Sequence, residues 1–179
     1  MEGNVVLKMR NIHKIFPGVH ALQGVDFTLR KGEIHALMGE NGAGKSTLIK
    51  VLTGVYGKED GDIFLDGTDG PVAIHSPQDA QNMGISTVYQ EITLCPNLTV
   101  AENMFIARTK GAVQNWKKMN TDTDRILQSL QIPAKASQQL GTCSLAVQQM
   151  IAIARAVDME CKVLILDEPT AGLDPRGRD

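Results

Sequence analysis

Val5 to Arg10 and Val25 to Arg30 alternate apolar with polar side chains, the period of a strand that buries one face. Glu33 to Met38 is a short apolar run that stops at Gly39, and it predicts a third strand. Beyond Gly39 the period lengthens. Leu48, Ile49, Leu52 and the pair Val55 and Tyr56 recur at helical spacing, with Gly57 placed to stop the helix. Asp62 to Leu65, followed by Asp66 and Gly67, predicts a strand and a turn. Ser76 and Pro77 have the form of an N-cap and first-turn pair for a helix to Met83, and Ile85 to Tyr89 returns to strand.

From Val100 to Val157 the character is helical. Asn120 or Thr121 is suited to cap a segment carrying Ile126, Leu127 and Leu130 that breaks at Pro133. Ser144 is suited to cap a longer one, in which Val147, Met150, Ile151, Ala154 and Val157 share a face. Lys162 to Leu166 is apolar after its lysine, the signature of a strand buried on both faces of a parallel sheet. Strands at both ends with helices between them predict an α/β sheet carrying an inserted helical subdomain. No internal repeat or low-complexity linker interrupts it.

The 179 residues are 42% hydrophobic, which suits a sizeable core and excludes a disordered or collagen-like chain. Eighteen Lys and Arg against 20 Asp and Glu give a net charge of -2. No bulk positive field attracts nucleic acid or an anionic membrane, so either partner would need a local patch, and no nucleic acid is expected. Apolar runs such as Val163 to Leu166 fall far short of the ~20 residues a membrane helix needs. Cys95, Cys143 and Cys161 are too widely spaced for a zinc or redox pair and odd in number, which fits a reducing cytosol. The start, Met1-Glu2-Gly3-Asn4, lacks the basic opening of a secretion signal, so a cytoplasmic chain is expected.

Gly39-Glu40-Asn41-Gly42-Ala43-Gly44-Lys45-Ser46-Thr47 fits the phosphate-loop pattern and falls between a predicted strand and a predicted helix, where that pattern must lie. Glycines let the backbone wrap closely, so that amides from Gly42 to Lys45 point at phosphate oxygens beside a helix N-terminus. Lys45 is then expected on the β and γ phosphates of a nucleotide, Ser46 on Mg²⁺ and Thr47 on the α phosphate. A glycine-rich surface turn would not need the strand and helix on its two sides. Val163-Leu164-Ile165-Leu166-Asp167-Glu168 ends an apolar strand in two acids, a costly placement unless a metal or donors meet them. Asp167 suits Mg²⁺. Glu168 suits orientation and polarisation of an attacking water, which a loose phosphoryl transition state needs beside charge neutralisation.

With these motifs in place the chain resembles the ATPase subunit of an ATP-binding cassette (ABC) transporter along essentially its whole length. The resemblance implies a P-loop NTPase fold: a RecA-like parallel sheet core, an N-terminal antiparallel β subdomain and an inserted helical subdomain. It divides the chain into a nucleotide-binding core at 1–90 and 159–179 and a mainly helical part at 91–158. Gln90 matches the family's Q-loop, implying roles in catalysis and Mg²⁺ binding, and Asp174 in Ala171-Gly172-Leu173-Asp174 matches its D-loop. Phe16 sits where the family stacks an aromatic on adenine; the bland alternative is a core aromatic. Phe16-Pro17-Gly18-Val19-His20-Ala21-Leu22, Leu52-Thr53-Gly54-Val55-Tyr56 and Ile85 to Glu91 resemble the N-terminal half of bacterial monosaccharide importers of the ribose, xylose and galactofuranose kind.

Two departures from the family pattern stand out. Cys143-Ser144-Leu145-Ala146-Val147 keeps the serine of the family's Leu-Ser-Gly-Gly-Gln signature but neither glycine. That loss resembles one in the N-terminal half of the importer subfamily, so the departure supports that assignment while implying less help to hydrolysis in an opposite site. The family's switch histidine lies a few dozen residues beyond Asp167, whereas only 168–179 follow, and His13, His20, His35 and His75 all precede Gln90. A partial cassette, with its C-terminal part missing after the D-loop, is the expectation. The resemblance implies a peripheral ATPase at the cytoplasmic face of the membrane, coupled to permease subunits through Gln90 and the stretch Ile92 to Asn103. It also implies a second cassette, fused or separate, and a sugar-binding protein acting indirectly. The rival expectations are a soluble cassette ATPase without a permease and a nucleotide-binding remnant with little turnover. A GTPase is disfavoured because no Asn-Lys-x-Asp sequence occurs.

Overall fold

The computed structural model describes residues 4–88, 94–106, 115–159 and 161–167. The chain forms two compact units, Met1–Ser86 and Thr87–Asp179.

The first unit is built on a three-stranded antiparallel sheet of order β2-β1-β3, with β1 at Val5–Phe16, β2 at Val19–Arg30 and β3 at Asp60–Leu65. The alternation seen at Val5 and Val25 thus belongs to two 12-residue strands joined as a hairpin at Pro17-Gly18. Leu7, Met9, Ile12, Ile63 and Leu65 are buried on one face, while Lys8, Arg10 and Phe64 alternate onto the other. Asn11 takes a positive φ of 49° where the β1–β2 register shifts between Met9 and Ile12. Its amide donates to Asp26 Oδ1 at 2.7 Å, so the irregular position has its own hydrogen bond.

Helix α1 covers Lys45–Leu52 and α2 covers Pro77–Asn82. Ser76 caps α2 as predicted, accepting from the Asp79 amide at 3.1 Å. α1 ends earlier than the apolar spacing predicts. Gly54 is the stop, not Gly57: it turns left-handed at φ +71°, and a Cβ there would lie 2.7 Å from the Ser76 backbone. Val55 and Tyr56 therefore lie past the helix, with Val55 45% exposed. The predicted strand Glu33–Met38 is not formed. Glu33 donates its amide back to Arg30 O at 3.1 Å and accepts from the Arg30 amide at 2.8 Å, a turn that diverts the chain. No described strand pairs with residues 33–38, and Ile34 is fully exposed. An apolar run becomes a buried strand only where neighbours cover it.

The second unit packs three helices, α3 at Val100–Phe105, α4 at Trp116–Ser129 and α5 at Leu145–Asp158. Leu127, Leu140, Ile151, Ala154, Val100 and Met104 form its core. α4 starts ahead of the predicted caps: Asn115, not Asn120 or Thr121, accepts from the Lys118 amide at 3.0 Å. Met119 and Thr123 are buried, so the amphipathic face already runs through the positions read as a cap. Ser144 caps α5 as predicted. On α5 the buried face runs through Ile151, Ala152 and Ala154, leaving Val157 48% exposed. β4 covers Ile85–Val88 and β5 covers Val163–Leu166, paired in a two-stranded parallel sheet. β5 is shorter and less covered than expected: Val163 is buried, Leu164 and Ile165 are half-buried, and Leu166 is 43% exposed, because β4 is its only described neighbour.

Candidate phosphate-binding loop

The loop between Gly39 and α1 is shaped by its glycines. Gly42 and Gly44 take φ of 87° and 85°. At Gly44 no side chain fits: a Cβ would stand 2.8 Å from Ala21 O and 3.1 Å from Leu22 Cδ2. β2 therefore approaches the first turn of α1 so closely that only glycine serves there. The Ala43 amide donates to Glu40 O at 3.1 Å, closing the loop on itself.

Gly44 caps α1 without any side-chain hydrogen bond, and the first turn holds no acid. Its amides thus have no side-chain acceptor, which suits an anion drawn by the helix dipole. Lys45 Nζ folds back to donate to Gly39 O at 2.6 Å and Glu40 O at 2.9 Å. The ammonium is held by neutral carbonyls over the loop, partners that a phosphate oxygen outcompetes as a charged acceptor. Ser46 is exposed and Thr47 half-buried in that first turn, and Asn41 is exposed in the loop.

Phe16 ends β1 half-buried, its ring edge-on to Tyr56 at 5.2 Å and 77°. Lys14 Nζ lies 5.3 Å from the Phe16 centroid and also donates to Glu59 Oε1 at 2.8 Å. Glu59 Oε2 accepts the Ile15 amide at 2.8 Å. The Lys14 hydrogen bond holds the Glu59 carboxyl below the usual glutamate range. Glu59 escapes a reading by motif, and Tyr56 is read only within the Leu52–Tyr56 wording and the apolar spacing, neither of which signals its packing on Phe16. Ahead of the loop, Glu33 pairs with His35 Nδ1 at 2.9 Å, which lowers its pKa, and the His35 ring stands edge-on to Phe27 at 4.9 Å.

In the second unit Asp167 follows β5, half-buried, its amide donating to Val88 O at 3.0 Å. Its carboxylate has no hydrogen bond or ion pair among the described residues. Ser144 Oγ accepts the Val147 amide at 3.4 Å, with Leu145 46% exposed and Ala146 half-buried behind it. Gln90, Glu168 and Asp174 lie outside the described residues. The described part of the 92–103 stretch is tightly built. Thr99 and Glu102 form a reciprocal capping box. The fully buried Asn103 accepts the Cys95 amide at 2.8 Å and donates to Cys95 O and Thr99 O, both at 3.0 Å. Sequence reading missed Asn103 because a polar residue inside a helical period carries no sign of such a clamp.

Known proteins give this geometry a context. The ABC transporter family profile matches residues 22–171. The ribose import ATP-binding protein RbsA 2 of Rhizobium meliloti is 46% identical over 97% of this chain and 34% of its own length. The galactofuranose transporter ATP-binding protein YtfR of Escherichia coli K12 is 48% identical over 94% of the chain and 34% of its own. The fructose import ATP-binding protein FruK of Bifidobacterium longum is 49% identical, over 97% and 34%. The chain thus spans about a third of the length of these curated relatives. Among solved structures, an ATP-binding cassette of an ABC transporter in its ADP conformation superposes with a TM-score of 0.81 at 26% identity, covering 96% of this chain and 71% of that one. CbiO1 of Clostridium perfringens, part of an ABC transporter complex, gives 0.79 at 29% identity, covering 97% and 69%. The chain belongs to the ABC transporter family, and its fold is that of a nucleotide-binding cassette.

Proposed function

We propose that the chain binds and hydrolyses ATP to energise import of a monosaccharide through membrane permease subunits. The observation that carries the reading is the loop itself: an uncapped helix start, glycines at positive φ and a lysine resting on neutral carbonyls. Sugar import is supported by relatives named for ribose, galactofuranose and fructose transport at 46–49% identity.

In this reading Lys45 releases Gly39 O and Glu40 O and places its charge on the β and γ phosphates. Amides from Gly42 to Lys45 and the Thr47 hydroxyl hold the remaining phosphate oxygens, and Phe16 packs on the adenine. A Mg²⁺ ion fits the chemistry of Ser46 and Asp167: a hydroxyl and a carboxylate are hard oxygen donors, and the Asp167 carboxylate has no described partner. No group of three or more acidic, His or Cys side chains gathers among the described residues, and Mg²⁺ is ordinarily held by one or two protein ligands plus phosphates. When bound, the ion neutralises charge on the transferring phosphoryl group. Glu168 orients the attacking water and accepts its proton, Gln90 reports the state of the γ phosphate toward the permease, and Asp174 meets the second cassette.

Leu145 and Ala146 stand where the family's signature has glycines, so the amides of this segment are held farther from a phosphate offered by the partner cassette. The signature of this chain therefore serves a slow site, while its phosphate loop serves the fast one. The cassette acts as a peripheral protein at the cytoplasmic face, and no described helix is long and apolar enough to cross a membrane. The test is reciprocal mutation in an intact transporter: Lys45→Ala abolishes most ATPase activity and sugar uptake, whereas Ser144→Ala costs little. Equal losses from both contradict the asymmetric reading.

A further inference from the structure

A hollow of about 300 Å³ opens on the sheet face opposite the apolar one, between Lys8 and Arg10 of β1, Phe64 of β3 and the loop residues Thr68 and Asp69. Lys8 and Arg10 share this face because they are two apart on one strand, and Lys8 stands opposite Phe64 in register. The Arg10 guanidinium lies 6.0 Å from the Phe64 centroid. The outer wall is fixed by its own hydrogen bonds. Thr68 donates its amide to Leu65 O at 3.3 Å and its hydroxyl to the same oxygen at 2.8 Å, and Val72 N donates to Ile63 O at 2.7 Å where the loop rejoins β3. Neither Lys8 nor Arg10 has an ion pair among the described residues, although Arg10 stands opposite Asp62.

We propose that this hollow binds a small phosphorylated polyol, with the phosphate between Lys8 and Arg10, a C–H face on Phe64 and a hydroxyl donating to Asp69. Two cationic lining residues against one lining carboxylate favour a single compact anion, and a guanidinium and an ammonium on one face suit phosphate by a fork and a point charge. Phosphate alone underfills the space: a water occupies roughly 30 Å³, and hollows of about 300 Å³ are the lower end for whole small-molecule ligands. The aromatic face and the acceptor supply what a polyol needs and an inorganic ion does not. Nucleic acid is disfavoured, because the hollow offers only two cations beside Asp69 and the chain carries a net charge of -2. The inference does not depend on sugar import or on ATP hydrolysis.

Calorimetry on the full chain, with saturating Mg-ATP present, compares glucose 6-phosphate, glucose and inorganic phosphate. Glucose 6-phosphate is expected to bind with a Kd below about 1 mM, at least about tenfold tighter than either fragment. Lys8→Met and Arg10→Met each weaken it about tenfold or more, Lys8→Arg restores it, and Asp69→Asn weakens glucose 6-phosphate without changing inorganic phosphate. In the unaltered protein, amide resonances of residues 8–10 and 64–70 shift on titration while those of 39–47 stay still, a readout independent of whether any variant folds. No binding, equal binding of inorganic phosphate, or binding lost to ATP or to Lys45→Ala with shifts at 39–47 overturns the proposal. The last outcome puts the phosphate on the nucleotide loop.

Discussion

Lys45 rests its ammonium on two backbone carbonyls, at 2.6 and 2.9 Å, over the loop it is proposed to serve. Removing the ammonium leaves the fold its backbone hydrogen bonds but takes away the only side-chain charge in the loop that favours phosphate. Gly44 is the stricter position structurally. Gly44→Ala forces a Cβ to 2.8 Å from Ala21 O at φ +85°, and the expected cost is about 1–3 kcal/mol of stability, measured by urea unfolding. Glu59 supplies a pH-dependent term. Its pKa is lowered in the folded chain by Lys14, so its contribution is present above the ordinary glutamate value of 4.5 and is lost as pH falls through the lowered one. Glu59→Gln should flatten that acid limb in thermal melts recorded from pH 6 down to about pH 3. The phosphate loop was legible because it is local: nine consecutive residues fix their own geometry. The packing of Phe16 on Tyr56 was not, because it joins the end of one strand to residues beyond a helix.

At the scale of elements, caps were readable where a side chain faces an open helix start and unreadable where packing chose the start. Ser76 and Ser144 hold their predicted places. α4 begins at Trp116 because burying Met119 extends the apolar face backwards past Asn120. Residues 33–38 teach the converse. Their apolar run signals strand propensity, yet a strand needs partners, and the Arg30–Glu33 turn sends the segment elsewhere. α3 is short, so its stability rests on its ends: the Thr99–Glu102 box and the Asn103 clamp. Thr99→Ala is expected to cost about 1 kcal/mol, and Asn103→Ala about 1–3 kcal/mol because it strips the Cys95 amide and two carbonyls of their partner. Chemical denaturation of the two variants checks the order, and a smaller loss at Asn103 would contradict the clamp.

For the whole molecule, the two units carry different parts of the proposed chemistry: the first the phosphate loop and Phe16, the second Asp167 and the signature segment. The fold class was readable because strand period, phosphate loop and helical block follow one another in an order few folds share. The extent of each sheet was not, since pairing depends on residues far apart in sequence. In the proposed function the loop from Gly39 to Thr47 holds a nucleotide through Lys45 while Glu168 acts on water. Mg-ATP binding and turnover measured together on the parent, Lys45→Ala and Glu168→Gln forms within an intact transporter test both roles at once. Lys45→Ala is expected to weaken binding by at least about tenfold, as when a charge-assisted partner is lost, and Glu168→Gln to bind like the parent but hydrolyse far more slowly. Parent-like binding by Lys45→Ala, or parent-like hydrolysis by Glu168→Gln, would contradict those roles.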